Sequence, residues 1–476
     1  MRLHDLFRDI DFHGSLSANA DVNLVTEDSR RVQPGSVFCC VPGATVDGHA
    51  FAAQAVEAGA VCIVAQKSTG APGEVIVENT RAAYALLCAN FYGNPSRKLT
   101  LVGVTGTNGK TTTTCILKQV FDYIGYNTGL VGTLVNMVKQ DEYPAALTTP
   151  DPWELQGLFA KMIEEGCTHC FMEVSSQALD QRRVEGLTFQ LGVFSNLTQD
   201  HLDYHGTFEN YLLAKRRLFL QSEIGIVNLD DEAAPRMVEG TPARPVTYSI
   251  RCNDADYTAK DLRLHSHGVA YELVGSGTIG SVRFGVPGEF SVYNSMAAAC
   301  AALELGVEMH KVAEALAHCT GVRGRMEVVP TNCNFTVIID YAHTPDGLEN
   351  VIRAIKQTTR GRLITLFGCG GDRDPDKRPQ MGEIAAQGSD IAVITSDNPR
   401  TEDPQAIIED ILAGVKNKSK IVVESDRRKA IALALHKAKP GDVVLLAGKG
   451  QETRQILATG EIDFDEREIV KQILEG

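Results

Sequence analysis

The chain has 476 residues, room for about three domains at roughly 150 residues each. Apolar residues make up 43% and charged residues 22%, an ordinary globular composition that excludes a disordered chain. Lys plus Arg number 46 against 60 Asp plus Glu, and the net charge of −14 argues against a nucleic-acid coat or a binder of anionic membranes while leaving room for local phosphate pockets.

No apolar run reaches the length of about eighteen residues that a membrane-crossing helix needs. The opening MRLHDLFRDIDFHG is acidic and has no apolar h-region, so no secretory signal is expected. The 12 Cys follow no framework spacing and are expected to be reduced, buried thiols. Cys167 and Cys170 form a CxxC with no second one beside it, and the pair leads into the apolar CFMEV, which reads as packing. These features point to a cytoplasmic protein.

Residues 1–97 mix short apolar runs with turns (QPGSVFCCVPG, AGAVCIVAQ, GEVIVEN), and the turn at Asn94-Pro95 sets a first boundary near Arg97. From 98 to 327 apolar strands alternate with helical patterns; strands are expected at 99–104, 169–174 and 192–194, with an antiparallel one at 281–288. From 328 to 476 a third α/β series begins, with strands at 363–367, 391–395, 421–423 and 443–446. This alternation predicts parallel sheets with helices on both faces, and ligands beyond the carboxyl ends of the strands. The Gly-rich GCGGDRD and AGKGQET follow two of those strands, where that rule puts a site.

The strand LTLVGV runs into Gly106, Thr107, Asn108, Gly109, Lys110, Thr111 and Thr112 and then a helical pattern. Strand, glycine loop, Lys-Thr and helix is the context of a phosphate loop: glycines let backbone N–H groups approach, and the helix start adds positive potential. Lys110 would meet the β- and γ-phosphates and Thr111 would offer its hydroxyl to Mg²⁺. The strict GxxxxGK spacing is not met, because Val104 stands where the first glycine would be.

This GTNGKTT string resembles the Mur ligase family, ATP-dependent enzymes that join an amino acid to a carboxylate through an acyl phosphate. TEDSRRVQPGSVF at 26–38, TTPD at 148–151, EVSSQALDQRRVEG at 173–186 and NLTQDHLDYHGTFENYLLAKRRLF at 196–219 are similar to further motifs of that family, in its order. So are GVRGRMEVV at 321–329, DYAHTPDGLENVI at 340–352, GCGGDRDPDKRPQM at 368–381, DNPR at 397–400 and GKGQET at 448–453. The resemblance implies an α/β, three-domain architecture: a UDP-binding domain at 1–97, a phosphate-loop ATPase at 98–327 and a Rossmann-like amino-acid-binding domain at 328–476. The member most resembled adds meso-2,6-diaminopimelate to the D-glutamyl γ-carboxylate of UDP-N-acetylmuramoyl-L-alanyl-D-glutamate, in peptidoglycan precursor synthesis, with ATP and Mg²⁺.

Glu173 ends an apolar strand, where a carboxylate can hold Mg²⁺ or its water. His201 and His205 lie in HLDYH, but the HExxH pattern of a zinc site is absent. The resemblance implies a second Mg²⁺ near His201, with His205 structural, and a carbamylated lysine (N6-carboxylysine) at Lys215; carbamylation turns a cation into an anionic metal ligand. Metal ligands are thus expected at Thr111, Glu173, His201 and Lys215, with Lys110, Lys215 and His201 catalytic. Arg216 and Arg217 read as a solvated basic face. The resemblance further puts Asn294 at the adenine, Arg325 and Asp340 near phosphate and ribose, and Ser29 at the uridine. Thr148, Thr149, Ser175, Gln181 and Arg183 would hold the diphosphate and muramoyl-peptide; hydroxyls and an Arg suit those anions.

The acceptor amine is read from Asp397, Asn398, Pro399 and Arg400. Arg can pair bidentately with the distal carboxylate of diaminopimelate, which lysine lacks. Arg373, Gly448 and Glu452 match the remaining contacts, and Glu452 can accept from the distal ammonium. Such a site rejects lysine by leaving a buried Arg unpaired. The base for the amine is not fixed; His343 and Asp346 are candidates by position. Rival readings are the lysine-adding ligase, a folylpolyglutamate synthetase and a phosphate-loop switch without ligase activity. DNPR argues against the first and the SRRVQPGSVF segment against the second, while dependence of phosphate release on both other substrates would exclude the third. No obligate assembly is indicated, so a monomer is expected.

Overall fold

A computed structural model describes residues 1–17, 20–43, 46–198 and 200–475 of the chain. Two compact units divide it: Met1–Thr258 with Ala297–Val307, and Ala259–Met296 with Glu308–Gly476.

The first unit opens with a five-stranded sheet in the order His13–Gly14, Glu74–Ile76, Cys62–Ala65, Ser36–Cys39, Leu24–Thr26. Its last four strands are parallel and nearly all apolar, as strands covered on both faces must be. The helix Thr80–Phe91, capped by Asn79, buries Ala83, Tyr84, Leu87 and Cys88 against it.

The phosphate-loop strand Thr100–Thr105 lies at the centre of the next sheet, parallel to His169–Glu173 on one side and Phe189–Phe194 on the other. Thr128–Val131 continues one flank and Ser222–Asn228 and Arg244–Ser249 the other, all parallel. Segments leaving the carboxyl ends of these strands therefore emerge along one edge. Asn136–Val138 and Asp141–Tyr143 add an antiparallel border beyond Thr128–Val131. Leu101, Cys170, Met172, Phe189 and Phe194 fill the core between sheet and helices. Both CxxC thiols are buried, and all 12 Cys are free, in agreement with a packing role.

In the second unit the expected antiparallel strand runs Thr278–Phe284 and ends earlier than the apolar run suggests, paired with Gly268–Gly275. The remaining sheet has the order Glu327–Val329, Thr336–Asp340, Val443–Ala447, Leu363–Phe367, Ile391–Ile394, Ile421–Val423. All pairs but the first are parallel. Sequence order reverses where Val443–Ala447 inserts between Thr336–Asp340 and Leu363–Phe367, a switch point of the kind at which α/β sheets bind ligands. Among the described residues, no helix is long and apolar enough to cross a membrane.

Candidate functional site

The first cluster of functional side chains is built on the phosphate loop. Gly106 has φ 150° and Gly109 φ 89°, values that a residue with a Cβ rarely adopts. A Cβ on Gly106 would also overlap Ser195 Oγ. Gly109 starts the helix Lys110–Tyr123 and supplies no side-chain cap, so the first helical N–H groups have no side-chain acceptor at that position. The loop is bolted to the segment leaving the neighbouring strand. Asn108 N–H donates to Asn196 Oδ1 at 2.9 Å, and Asn196 Nδ2 and Ser195 Oγ both donate to the Asn108 carbonyl at 3.1 and 2.6 Å. Thr107 N–H donates to the Asn196 carbonyl at 2.8 Å, and Thr107 Oγ1 accepts from Thr198 N–H at 3.0 Å. Gln199, inside the same motif, lies outside the described residues. Thr112 occupies the first turn of the helix, half-buried.

Two lysines converge on this loop. Lys110 Nζ donates to the Gly106 and Thr107 carbonyls at 2.9 and 3.0 Å, and Lys215 Nζ donates to the same Gly106 carbonyl at 2.8 Å. Burial holds the Lys110 ammonium below the ordinary lysine value, against the pull of Glu173 and Asp200. Lys215 is 1% exposed, and burial, reinforced by the Lys110 charge, pushes it well below that value. Burial thus disfavours the charged form of this amine, which lies 4.6 Å from the Tyr211 ring centroid. The reading of its neighbours as a solvated face needs correction: Arg216 is half-buried and donates to the Glu239 carbonyl at 2.6 Å.

Glu173, 1% exposed, ends its strand beside the loop. Its Oε2 accepts from Thr111 Oγ1 at 2.9 Å, and its Oε1 accepts from Thr133 N–H at 2.7 Å. Thr133 Oγ1 lies 3.0 Å from Glu173 Oε2 and 3.1 Å from Thr148 Oγ1. Thr133 drew no attention in the sequence; the signal is its place just past the strand Thr128–Val131, which pairs in parallel with the Glu173 strand. The hydroxyl of Thr111 and the carboxylate of Glu173 are hard oxygen donors suited to Mg²⁺. His201 has a left-handed backbone, φ 52°, and its Nε2 is 3.5 Å from Asp200 Oδ2. His205 is buried with Nε2 2.9 Å from Ser176 Oγ, and its ring packs on Tyr204 and Tyr211. Among the described residues no three His, Cys, Asp or Glu side chains form a metal-ligand group.

Thr149 links the Glu173 backbone to a pocket of mixed charge. Its Oγ1 donates to the Glu173 carbonyl at 2.8 Å and accepts from Ser175 N–H at 3.1 Å, while its carbonyl accepts from Arg183 Nη1 at 2.8 Å. Ser175 Oγ caps the helix Ser176–Asp180. Gln181 Oε1 accepts from Arg183 Nη2 at 2.7 Å, which explains the Gln-x-Arg spacing. Gln181 and Arg183 line a pocket of about 70 Å³ with Glu27, Arg81, Tyr84 and Asp151. Burial raises the Glu27 carboxyl against the pull of Arg81. Ser29 lies in the 3-10 turn Ser29–Arg31, half-buried, two residues beyond Glu27.

The second cluster stands on the carboxyl ends of the parallel strands in the other unit. Arg400 is half-buried with φ 52°, and its Nη1 donates to the Gly371 carbonyl at 2.8 Å and lies 3.4 Å from the Asn398 carbonyl. Among the described residues its side-chain partners are carbonyls, not carboxylates. A Cβ on Gly370 would come within 2.9 Å of that Nη1, so the glycine makes room for the guanidinium. Glu452 is half-buried, and its Oε2 accepts from Asn398 Nδ2 at 2.8 Å and Lys449 Nζ at 3.1 Å. Asp397 is turned into the protein: Oδ1 accepts from Asn398 N–H at 2.7 Å and Oδ2 lies 3.8 Å from Arg427. A Cβ on Gly448, φ 112°, would approach that Oδ2 to 2.8 Å. Pro399 hands the turn on to Arg400, and Arg373 is exposed, donating to the Asp372 carbonyl at 3.0 Å.

Arg427 escaped notice in the sequence. Its guanidinium is fully buried and donates to Glu466 Oε1, Ser396 O and Ala447 O at 2.8, 3.2 and 2.9 Å, tying together the two strand ends that carry DNPR and GKGQET. In the helical run DRRKAI it reads as a surface cation; only the fold reveals Glu466 as its partner. Asp340 is 5% exposed, and its two oxygens each accept one backbone N–H, from Met326 at 2.7 Å and Ala342 at 2.8 Å. Arg325 is exposed with its guanidinium carbon 5.5 Å from the Tyr341 ring centroid. Asn294 is buried in the helix Glu289–Glu304. His343 Nδ1 is 2.8 Å from the Tyr341 carbonyl, and Asp346 lies in the first turn of Pro345–Thr358.

The chain matches the Mur ligase family in three segments: the family's catalytic domain at 21–92, the Mur ligase middle domain at 104–302, and the glutamate ligase domain at 324–450. It is 45% identical to UDP-N-acetylmuramoyl-L-alanyl-D-glutamate–2,6-diaminopimelate ligase 1 of Clostridium acetobutylicum, covering 100% of this chain and 99% of that one. It is 45% identical to the ligase of the same name from Geobacillus kaustophilus over 95% of each chain. A solved structure of a ligase with that name superimposes with a TM-score of 0.81 at 30% identity, over 100% of this chain and 99% of the other.

Proposed function

The chain belongs to the Mur ligase family, and from that premise we propose that it is the ATP-dependent ligase that joins meso-2,6-diaminopimelate to the D-glutamyl γ-carboxylate of UDP-N-acetylmuramoyl-L-alanyl-D-glutamate. The observation that carries the choice of amine is Arg400: a half-buried guanidinium held by two carbonyls, in the same turn as Asn398, whose amide donates to Glu452. It calls for a carboxylate, and Glu452 beside it for an ammonium. The distal centre of diaminopimelate carries both.

Amide formation from a carboxylate and an amine is uphill in water, so the carboxylate must first become an acyl phosphate. The phosphate-loop amides and Lys110 bind the triphosphate, and Lys110 exchanges its two loop carbonyls for phosphate oxygens. Thr111 and Glu173 would hold Mg²⁺, with His201 and a carbamylated Lys215 contributing; the ion supplies charge neutralisation at the γ-phosphoryl group. Burial disfavours the charged form of Lys215, and its neutral amine would add to CO₂ and lose a proton to give the carbamate. Arg183, Gln181, Thr148, Thr149, Ser175 and Ser29 bind and orient the UDP-sugar peptide so that its γ-carboxylate reaches the γ-phosphorus in line. Asn294, Arg325 and Asp340 serve the nucleotide. Arg373, Asn398, Pro399, Arg400, Gly448 and Glu452 form the diaminopimelate site, with Asp397 turning the backbone. The α-amine then attacks the acyl carbon, and the tetrahedral intermediate expels phosphate. The same reading divides the chain into domains at 1–97, 98–327 and 328–476 and places a monomer in the cytoplasm, without nucleic-acid or membrane partners.

Phosphate release from ATP with UDP-N-acetylmuramoyl-L-alanyl-D-glutamate tests the proposal, comparing meso-diaminopimelate, L-lysine and no amine. Release with a tripeptide product is expected only with meso-diaminopimelate and Mg²⁺. Equal rates with lysine would remove the role of Arg400. Release that needs neither the UDP-peptide nor the amine would mark a nucleotide hydrolase and overturn the ligase.

A further inference from the structure

We propose that the buried Lys449 determines the choice of acceptor amine by setting the charge of the diaminopimelate pocket; this rests on the assignment of that pocket to the amine. Lys449 sits in the turn between Gly448, φ 112°, and Gly450, φ 54°, whose backbone turns the side chain inward. The residue is 0% exposed. Its Nζ donates to Asn398 Oδ1 at 2.9 Å and Glu452 Oε2 at 3.1 Å. Asn398 Oδ1 also accepts from Ile456 N–H at 3.0 Å, which leaves its Nδ2 facing Glu452 Oε2 at 2.8 Å. Lys449 thereby fixes which face of the Asn398 amide meets Glu452. Two donors occupy Glu452 Oε2, and Oε1 is left to receive an ammonium.

The charges of the buried and half-buried side chains gathered here cancel, the exposed Arg373 being screened by water. Arg400, Arg427 and Lys449 are cations; Asp397, Glu452 and Glu466 are anions. A neutral pocket that presents one guanidinium and one carboxylate oxygen matches the zwitterionic distal end of diaminopimelate. A lone distal ammonium, as in lysine, leaves Arg400 without an anion and adds a net charge to a half-buried site, which costs free energy. Removal of the Lys449 charge makes the pocket net negative and favours that lone ammonium. Lys449 reaches the amine only through Glu452 and Asn398, so it is a positioning residue.

The test is the ratio of kcat/KM for meso-diaminopimelate to that for L-lysine, read as UDP-tripeptide formed at subsaturating amine by the full-length enzyme. Lys449→Met is expected to lower this ratio by about tenfold, the order of one charge change felt across a partly screened site. Lys449→Met/Glu452→Gln, which removes both members of the pair and leaves no buried charge orphaned, returns the ratio toward wild type. Glu452→Gln alone, which keeps Lys449, moves it in the opposite direction. A merely structural Lys449 would lower both values of kcat/KM together. An unchanged ratio in Lys449→Met, or the same fall in the double variant, overturns the proposal; if Lys449→Met does not fold, the other two variants decide. Arg400→Met separates the premises: if it too leaves the ratio unchanged, the assignment of the amine site fails, and not only the part given to Lys449.

Discussion

Lys215 illustrates how little a residue's type says about its state. A lysine on a helix between hydrophobic residues is usually a solvated cation. Here the side chain is enclosed, its Nζ hydrogen-bonds to the Gly106 carbonyl, and its proton affinity is depressed chiefly by burial. A proton bound by the unfolded chain and not by the folded one makes stability rise with pH between the depressed folded value and the ordinary value near 10.4. In CO₂-free buffer, unfolding free energy measured against pH is therefore expected to climb through that window, with a limiting slope of about 1.4 kcal/mol per pH unit for one proton. Lys215→Met is expected to flatten this component, to raise stability on the low-pH side and to abolish ligation. An unchanged slope in the variant would show that the buried amine is not the group responsible. Arg427 shows another case: a fully buried guanidinium paired with the buried Glu466 at 2.8 Å. Neither state can be read from the sequence, because each is set by the groups the fold packs around it.

At the scale of elements, both sites obey one rule. Parallel strands deliver their following segments to a common edge, so residues far apart in sequence meet there. The phosphate loop depends on this: Asn108 is tied to Ser195 and Asn196 from the next strand. Asn196→Ala removes two of those bonds, each worth about 1 kcal/mol. The KM for ATP is expected to rise by about tenfold, with the KM for diaminopimelate nearly unchanged. A rise in both would indicate general unfolding rather than a loosened loop. The strands and the loops after them were readable from apolar runs followed by glycine, and most expected strands lie within two or three residues of the observed ones. The antiparallel strand ends at Phe284, where the apolar run continues to Val286. Hydrophobicity marks burial, while strand pairing is set by the partner, here Gly268–Gly275.

For the molecule as a whole, the two compact units predict that unfolding is not a single two-state transition. The single tryptophan, Trp153, packs on Phe91 and Tyr92 within the first unit, so its fluorescence reports that unit alone. The side chains proposed to bind diaminopimelate lie wholly within the second. At a hundred times its Kd, meso-diaminopimelate should stabilise the second unit by about 2.7 kcal/mol and move a calorimetric transition that the Trp153 signal does not follow. Equal movement of the fluorescence transition would place the amine on the first unit. Sequence by itself determined the family, the phosphate loop and the residue types at every strand end, because these are local: turns need glycine, phosphates need N–H groups and Lys, carboxylates need Arg. Only the tertiary structure decided that Glu173 meets Thr111 and Thr133, that Arg427 pairs with Glu466 while joining two strand ends, and that Lys449 turns inward onto Asn398 and Glu452. Those pairings cross 62, 39 and 51 residues of chain. Short-range pattern carries no record of them, because a side chain's partner is chosen by strand order and by the cost of burying charge alone.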